Sequence, residues 1–262
     1  MPFRVLALLL CVTPVLAQAP FLTDDAEVAQ HGHWHFEFNN EYDLLQDSAY
    51  PNLRQNTANF KTSYGLVNNL EVGLDNQLLN IFNAPTPALP HMAFGYGDLD
   101  LSVKWKMLPE KPGWLRPALA ASFNLELPTG DSHQQLGSGI TDYYLNGIAQ
   151  KSLTEKTTLR LNGGYYFAGN TLTGAVGIRS AKGSVFTGSG SVVHDFTKKL
   201  DLGGEIAGAV SKNLDLGRGQ LQLQFGGNYK VRESLSIDFG LITGFYQASP
   251  RFGPIIGFSK DF

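Results

Sequence analysis

Charge is scarce in this 262-residue sequence, and several features of common protein classes are missing. Charged residues make up 16% of the chain, below the roughly 25% of an average soluble protein. The mean hydropathy is −0.11, and past the N-terminus no apolar run approaches the ~18 residues of a spanning helix. These absences exclude a helical membrane protein. The net charge of −3, without a basic run, argues against nucleic acid as a partner.

Cysteine is nearly absent as well. The single cysteine, Cys11, lies in a segment with the features of a secretory signal peptide. Arg4 supplies the positive charge, an apolar stretch follows, and Val15 and Ala17 fit the small-x-small cleavage rule. We expect residues 1–17 to be removed. The mature chain then has no thiol, which excludes disulfides and thiolate metal sites, and we predict no cofactor.

The sequence does contain a recurrent two-residue alternation of apolar and polar side chains, together with 29 glycines, 17 phenylalanines and 10 tyrosines. This many aromatic residues excludes a disordered chain. Near residue 225, for example, Leu223 and Phe225 share one face while Gln222 and Gln224 share the other. Such alternation predicts β-strands with one apolar and one wet face. The predicted strands lie near residues 31–45, 56–67, 69–81, 97–108, 114–128, 141–153, 157–168, 181–197, 200–211, 218–231, 235–247 and 252–262.

The connections between these strands alternate in length. Tight turns such as 67–69, 154–156 and 232–234 alternate with long loops such as 82–96 and 128–140. This asymmetry is typical of a bacterial outer-membrane barrel, in which a spanning sheet must close on itself. A soluble sandwich has the same alternation, but the signal peptide, the loop asymmetry and the C-terminus favour the barrel.

We therefore predict an all-β, closed antiparallel transmembrane barrel of about twelve strands, with ten to fourteen left open. It would occupy residues 31–262 in the outer membrane of a Gram-negative-type cell, surrounded by lipid and lipopolysaccharide. Both termini would be periplasmic, and residues 18–30 would form a periplasmic or lumenal segment. The terminal Phe262 resembles the signal read by the barrel assembly machinery.

Charged residues on the wet face of the strands are the candidates for the lumen wall. They either form ion pairs that fill a narrow barrel or line a polar path with mixed charge, since twelve strands lie between the filled and the open barrel types. The candidate wall residues are Lys61, Glu71, Asp100, Lys104, Lys106, Arg116, Glu126, Asp142, Arg160, Glu205, Lys230 and Asp238.

Two predicted extracellular loops contain further candidate site residues. The loop 82–96 is rich in proline and carries Met92, Phe94 and Tyr96, so it either contacts an apolar solute or forms a stiff surface loop. In the loop 128–140 glycines allow sharp turns, so this loop either folds over the mouth or constricts the lumen. The candidates in this second loop are Gly130, Asp131, His133, Gly137 and Gly139.

Three histidines, His31, His33 and His35, alternate along the first predicted strand. They are weak candidates for a metal site, because side chains on one face of a strand are about 6.5–7 Å apart and three cannot reach one ion without a bulge. The favoured interpretation places them at the rim of the lumen.

An enzyme is also considered, because some twelve-stranded outer-membrane proteins are phospholipases. The nearest triplet with a nucleophile is Asp131-Ser132-His133. It lies in a loop, and on a strand its adjacent side chains would point in opposite directions. No G-x-S-x-G motif is present. We therefore predict no enzymatic activity.

Several stretches carry a family resemblance. They are residues 23–34, 97–105, 127–131, 136–142 and 161–169, of which the Leu-Pro-Thr-Gly-Asp and Leu-Gly-Ser-Gly pair is the most specific. The sequence resembles the outer-membrane transporter family of the "MetA-pathway of phenol degradation". The resemblance implies a barrel that carries small aromatic or hydrophobic compounds, and it supplies no agreed binding residues.

The leading functional hypothesis is thus a passive channel for small hydrophobic or aromatic solutes. The alternative is a scaffold or binding barrel with a plugged lumen. An outer-membrane hydrolase is the third hypothesis, which the missing catalytic constellation disfavours.

Overall fold

The computed structural model describes residues 20–47, 53–82, 92–112, 116–167, 185–211, 219–246 and 249–262, so the predicted signal peptide lies outside the described residues. The described residues form twelve antiparallel strands in one closed barrel, which confirms the predicted fold class. The strands are β1 (Trp34–Leu44), β2 (Arg54–Val67), β3 (Leu70–Phe82), β4 (Met92–Leu108), β5 (Ala118–Leu127), β6 (Asp142–Thr154), β7 (Thr157–Phe167), β8 (Val185–Asp195), β9 (Leu200–Ser211), β10 (Gln220–Arg232), β11 (Leu235–Gly244) and β12 (Gly253–Asp261).

The barrel closes where the first strand pairs with the last. β1 and β12 are antiparallel over seven residue pairs, from His35 opposite Asp261 to Glu41 opposite Ile255. The backbone of Phe262 continues this seam, because its N–H donates to the carbonyl of Trp34 at 2.9 Å. Every strand therefore has a hydrogen-bonded neighbour on both sides, as a sheet in hydrocarbon requires.

The wall has apolar side chains outside and polar side chains inside. On β10, Gln224 is 1% exposed and points inward, whereas its neighbour Phe225 is 60% exposed and points outward. The same inversion follows the other strands, since buried glutamines, aspartates and serines alternate with exposed leucines and phenylalanines. A soluble sandwich would show the opposite distribution. Among the described residues, no helix has the length and apolarity to cross a membrane.

The two ends of the barrel differ. We call one end the short-turn end: it carries the tight connections 68–69, 155–156 and 233–234, and His33 and Phe262 meet there. The opposite, long-loop end carries the connections that precede β2, β4, β6, β8, β10 and β12.

β4 is longer than predicted, and a β-bulge explains the difference. The sequence analysis began this strand at residue 97, but it begins at Met92. Opposite Gln77, β4 contains two residues, Gly97 and Asp98, instead of one. The extra residue shifts the alternation, so outward side chains fall at even numbers up to Tyr96 and at odd numbers from Leu101. A single alternating pattern cannot represent both halves, and the first half therefore resembled a loop.

A strap formed by residues 20–33 crosses the lumen before β1 begins. Its first described carbonyl, that of Pro20, accepts a hydrogen bond from the side chain of Gln224 on β10. Farther along, the N–H of Ala29 donates to Glu71 on β3 at 2.6 Å. The strap then reaches β2, where the N–H of Gly32 donates to the carbonyl of Gly65 at 2.8 Å. Because these partners belong to opposite parts of the wall, residues 20–30 lie inside the barrel.

The crossing at β2 depends on a missing side chain. A Cβ at Gly65 would lie 2.1 Å from the carbonyl oxygen of Gln30 and 2.5 Å from that of Ala29. Both atoms belong to the backbone, so the strap itself would have to move. At Gly163, which faces outward from β7, a Cβ would meet no atom within 4 Å.

We predict that Gly65→Ala displaces the strap from β2 and lowers the free energy of unfolding by about 1–3 kcal/mol, as overpacking does. The measurement is the temperature at which the folded barrel loses its fast-migrating band on a semi-native gel. Gly163→Ala is the matched control and should behave like the unsubstituted protein. Equal melting of the two variants would contradict the prediction.

Candidate functional site

The candidate site is the cavity inside the barrel, which has a volume of about 620 Å³. Strap residues 20–22 and Asp24 line one side of it, and the inner faces of the strands line the rest. Among the described lining residues there are eight carboxylates and two ammonium groups, those of Lys61 and Lys104. The cavity is therefore acidic, and the arrangement of these charges determines which solutes it suits.

The cations of β4 neutralise the acidic strap. The ammonium of Lys104 donates to Asp24 at 2.8 Å and to Asp25 at 3.2 Å. Lys106 donates to Glu27 on the same strap. Burial by itself would raise the pKa of Asp25, but the charges of Lys104 and Arg160 outweigh it and lower that pKa. These ion pairs give the strap a fixed position against β4.

Wall carboxylates hold the strap backbone elsewhere. The N–H groups of Leu22 and Thr23 donate to the two carboxylate oxygens of Glu205, at 3.1 and 2.5 Å. Ala26 N–H donates to Gln150 at 3.3 Å. Because a lumenal backbone has no strand partner, these side chains satisfy groups that would otherwise lack a hydrogen bond.

Four carboxylates form a row across the inner face of neighbouring strands. Asp75 on β3 lies opposite Asp100 on β4, Asp100 lies opposite Glu126 on β5, and Glu126 lies opposite Asp142 on β6. We call these four residues the carboxylate row. On β2, Lys61 lies opposite Asp75, and its ammonium is 3.8 Å from Glu37. Residues directly opposite in an antiparallel pair have Cβ atoms about 4.5–5.5 Å apart, where like charges repel.

The predicted wall residues thus separate by position rather than mixing evenly. Lys104, Lys106, Arg160, Glu71 and Glu205 surround the strap, whereas Asp100, Glu126 and Asp142 belong to the row.

Three further predicted wall residues lie outside both groups. Asp238 is fully buried and accepts a hydrogen bond from Asn228 at 2.5 Å, and Lys230 attracts Asp201. The prediction that Arg116 belongs to the lumen wall was wrong. β5 begins only at Ala118, so Arg116 lies in the exposed turn before that strand.

The bulge in β4 fastens the β5–β6 loop, residues 128–141, over the long-loop end. Asp98 is 1% exposed, and its carboxylate accepts the N–H of Gly130 at 2.9 Å and that of Ser138 at 2.6 Å. The hydroxyl of Thr129 donates to the carbonyl of Gly97 at 3.2 Å. Both ends of the loop are therefore fixed to two residues of β4, and this contact explains why the two glycine-containing motifs occur together.

Glycine is required at this contact. A Cβ at Gly137 would lie 2.3 Å from Oδ1 of Asp98, and one at Gly130 would lie 2.5 Å from the carbonyl oxygen of Leu136. Gly139 has a φ of +76°, which favours glycine. Between them, Asp131 caps a short 3₁₀ turn by accepting the N–H of His133 at 2.9 Å.

The loop inserts one apolar side chain into the barrel. Leu136 is buried in a cluster at the long-loop end of the first four strands. The cluster contains Leu79, Ile81 and Ala93 of β3 and β4, together with Leu45 and Leu53, which flank β1 and β2. The prediction for the preceding loop was wrong in this respect. Met92, Phe94 and Tyr96 belong to β4 and point outward, each more than half exposed, because the bulge changes the direction of that strand segment.

The three histidines do not converge. His31 lies in the strap and its Nδ1 is 2.8 Å from the carbonyl of Leu66, while Nδ1 of His33 is 3.0 Å from the carbonyl of Phe262. His35 faces inward between Asp261 and Glu37, at 2.6 and 3.0 Å. No group of three or more potential ligands among the described residues is placed to hold a metal ion.

Sequence reasoning missed two parts of the site. The strap acids Asp24, Asp25 and Glu27 were outside the alternating pattern, and nothing in their spacing indicates which wall residue they meet. Asp98 was identified within a motif but not as an anchor. The break in alternation between Tyr96 and Leu101 was a signal that could have located the bulge.

We predict that Asp98→Asn releases the β5–β6 loop. The two carboxylate oxygens of Asp98 accept one N–H group each, whereas the asparagine amide has a single oxygen and would leave one N–H group without its acceptor. The loss should cost about 1–3 kcal/mol of loop stability. Limited proteolysis within residues 128–141 measures it, and cleavage should become faster. Glu155→Gln, in the exposed turn between β6 and β7, removes one charge without touching the loop and is the control. Equal cleavage of both variants would count against the anchor.

Comparisons with known proteins agree with this geometry. No curated protein sequence matches the chain. The crystal structure of the COG4313 outer membrane channel from Pseudomonas putida F1 is similar, with a TM-score of 0.69, 17% identity, and coverage of 91% of this chain and 98% of that one. The KdgM porin has a TM-score of 0.57 at 11% identity, with coverage of 87% and 99%. The NanC porin has a TM-score of 0.56 at 10% identity, with coverage of 86% and 98%.

These likenesses establish the fold of outer-membrane channels. A family pattern matches residues 85–262, more than half of the chain, and includes the bulge anchor, the β5–β6 loop and the carboxylate row from Asp100 onward. The chain accordingly belongs to the family described as "Putative MetA-pathway of phenol degradation".

Proposed function

We propose that this protein is a passive channel of the outer membrane for small hydrophobic or aromatic solutes. The observation that carries the proposal is a cavity inside a closed barrel whose outer face is apolar. Such a barrel stays in lipid while its interior remains available to a solute. Family membership and the likeness to an outer membrane channel support the same conclusion.

The cavity has a side that suits an uncharged solute. Val185, Ala207, Ala209 and Ile255 line it on β8, β9 and β12, whose described lining residues carry no charge. Apolar walls with a few polar groups are typical of small-molecule sites. A solute entering past the β5–β6 loop would meet this side before it reached the strap. We assign no catalytic residue to the site.

The proposed orientation places the long-loop end outside the cell and both termini in the periplasm. Lipid and lipopolysaccharide would surround the wall. The barrel assembly machinery would read the last strand, where Phe262 is 61% exposed. Movement through the barrel would follow the concentration gradient of the solute.

The strap favours a second candidate function, a scaffold or binding barrel with a plugged lumen. Its ion pairs and backbone hydrogen bonds reach β2, β3, β4, β9 and β10, which makes it an ordered part of the interior. The two candidates differ in whether a solute passes the strap in the unaltered protein.

We predict that liposomes containing the refolded protein take up phenol faster than empty liposomes, without an ion gradient. A stopped-flow optical assay of internal phenol measures the rate. Heat-modifiable gel migration confirms that the barrel is folded in the same vesicles. Equal rates with and without folded protein would sink the channel proposal and leave the plugged barrel.

We further predict that Lys104→Gln increases this uptake. The substitution leaves Asp24 and Asp25 without their buried cation, and breaking a buried pair costs about 3–5 kcal/mol. The strap should therefore leave its position against β4. Lys198→Gln, in an exposed turn, removes the same charge without touching the strap. Uptake that appears only in Lys104→Gln would instead identify the unaltered protein as a plugged barrel.

A further inference from the structure

One half of the cavity wall differs chemically from the other half. Three members of the carboxylate row, Asp75, Asp100 and Glu126, line the cavity on β3 to β5. The described lining residues of β7 to β12 carry no charge, and they include Val185, Ala207, Ala209 and Ile255. A neutral solute makes favourable contacts with the second half alone. A solute that is cationic at one end and apolar at the other makes favourable contacts with both halves.

The row ends on a carboxylate that lacks a partner. Asp142 is 1% exposed and ends the row on β6 without lining the cavity, and neither of its carboxylate oxygens has a hydrogen-bond partner among the described residues. One oxygen of Asp75, at the other end of the row, is also buried without a partner. Buried acceptors are normally satisfied, so the oxygen of Asp75, which lines the cavity, can accept a hydrogen bond from a donor that the described residues do not supply.

An aromatic pair connects the two halves. The rings of Tyr144 and Tyr166 are stacked with centroids 4.1 Å apart, and both residues line the cavity. The hydroxyl of Tyr144 is 2.9 Å from that of Thr187 on the uncharged side. Gly164 makes room for this ring, because a Cβ there would lie 2.2 Å from the Tyr144 hydroxyl oxygen. Aromatic faces beside carboxylates are a known environment for organic cations.

The spacing of the row favours an organic cation over a metal ion. A metal needs several oxygens at about 2.0–2.6 Å from one point. The row is instead extended over four strands, and no described group of ligands converges. An ammonium group has up to three donors and requires less convergence.

We propose that the carboxylate row binds the ammonium group of a small amphipathic amine, while the uncharged side of the cavity holds its apolar body. This deepens the proposed function, on which it rests, by naming a class of solute. The row attracts the cation, and the cation relieves the repulsion between neighbouring carboxylates.

The test compares three probes of similar size on the refolded full-length protein in neutral detergent: 2-phenylethylammonium, 2-phenylethanol and 3-phenylpropanoate. Isothermal titration at low salt should show the ammonium binding at least about tenfold more tightly than the alcohol, with no binding of the carboxylate. Added salt should weaken the ammonium alone. Equal affinity of the three probes, or tighter binding of Mg²⁺ than of the ammonium, would overturn the proposal.

Substitutions in the row locate the site. Asp100→Asn and Glu126→Gln should each weaken ammonium binding by about tenfold and leave 2-phenylethanol unchanged. Both remove one of several like charges, so we expect the barrel to fold, and gel migration checks this. Glu155→Gln removes the same charge from the exposed turn between β6 and β7, at the other end of the barrel, and should change nothing. An unaltered ammonium affinity in both row variants would refute the site.

The failure of this inference differs from the failure of the channel proposal. Titration measures binding without transport, whereas phenol uptake measures transport of a neutral solute. If phenol passes and the three probes bind equally, the barrel is a channel without the amine site. If the ammonium binds selectively and phenol does not pass, the amine site belongs to a closed barrel.

Discussion

The backbone hydrogen bonds of the sheet are the constraint on which the rest of this structure depends. Hydrocarbon offers no partner to a free N–H or carbonyl, so β1 must pair with β12 and the sheet must close. Closure then places one face of every strand in lipid and the other in the lumen. The polar groups that lipid rejects accumulate inside, where they need partners of their own, and the strap and the β5–β6 loop supply many of these partners.

The sequence predicted the wall well because strand alternation is a local property. All twelve strands were found, and wet-face residues such as Lys104 and Glu126 do line the cavity. Errors arose where the alternation changes or stops. Because the bulge at Gly97 and Asp98 interrupts the alternation, the first half of β4 was predicted to be a loop. Because β5 begins only at Ala118, Arg116 lies in a turn and not on the predicted strand.

The interior could be predicted less well because it depends on contacts between distant segments. The pairing of Lys104 with Asp24 joins residues 80 positions apart, and Glu205 meets the strap from 183 positions away. Alternation shows that a side chain faces the lumen but not what it meets there. The carboxylate row likewise follows from the registers of three strand pairs, each of which is fixed by the whole sheet.

The position of the strap has a consequence for how the barrel forms. The strap leads directly into β1, and the first residue of β1, Trp34, is hydrogen-bonded to Phe262 at the other side of the seam. The strand that closes the ring therefore carries with it the segment that occupies the interior. Assembly that joins the first and last strands as its final step encloses the strap in the same event, so chain order couples completion of the wall to filling of the lumen.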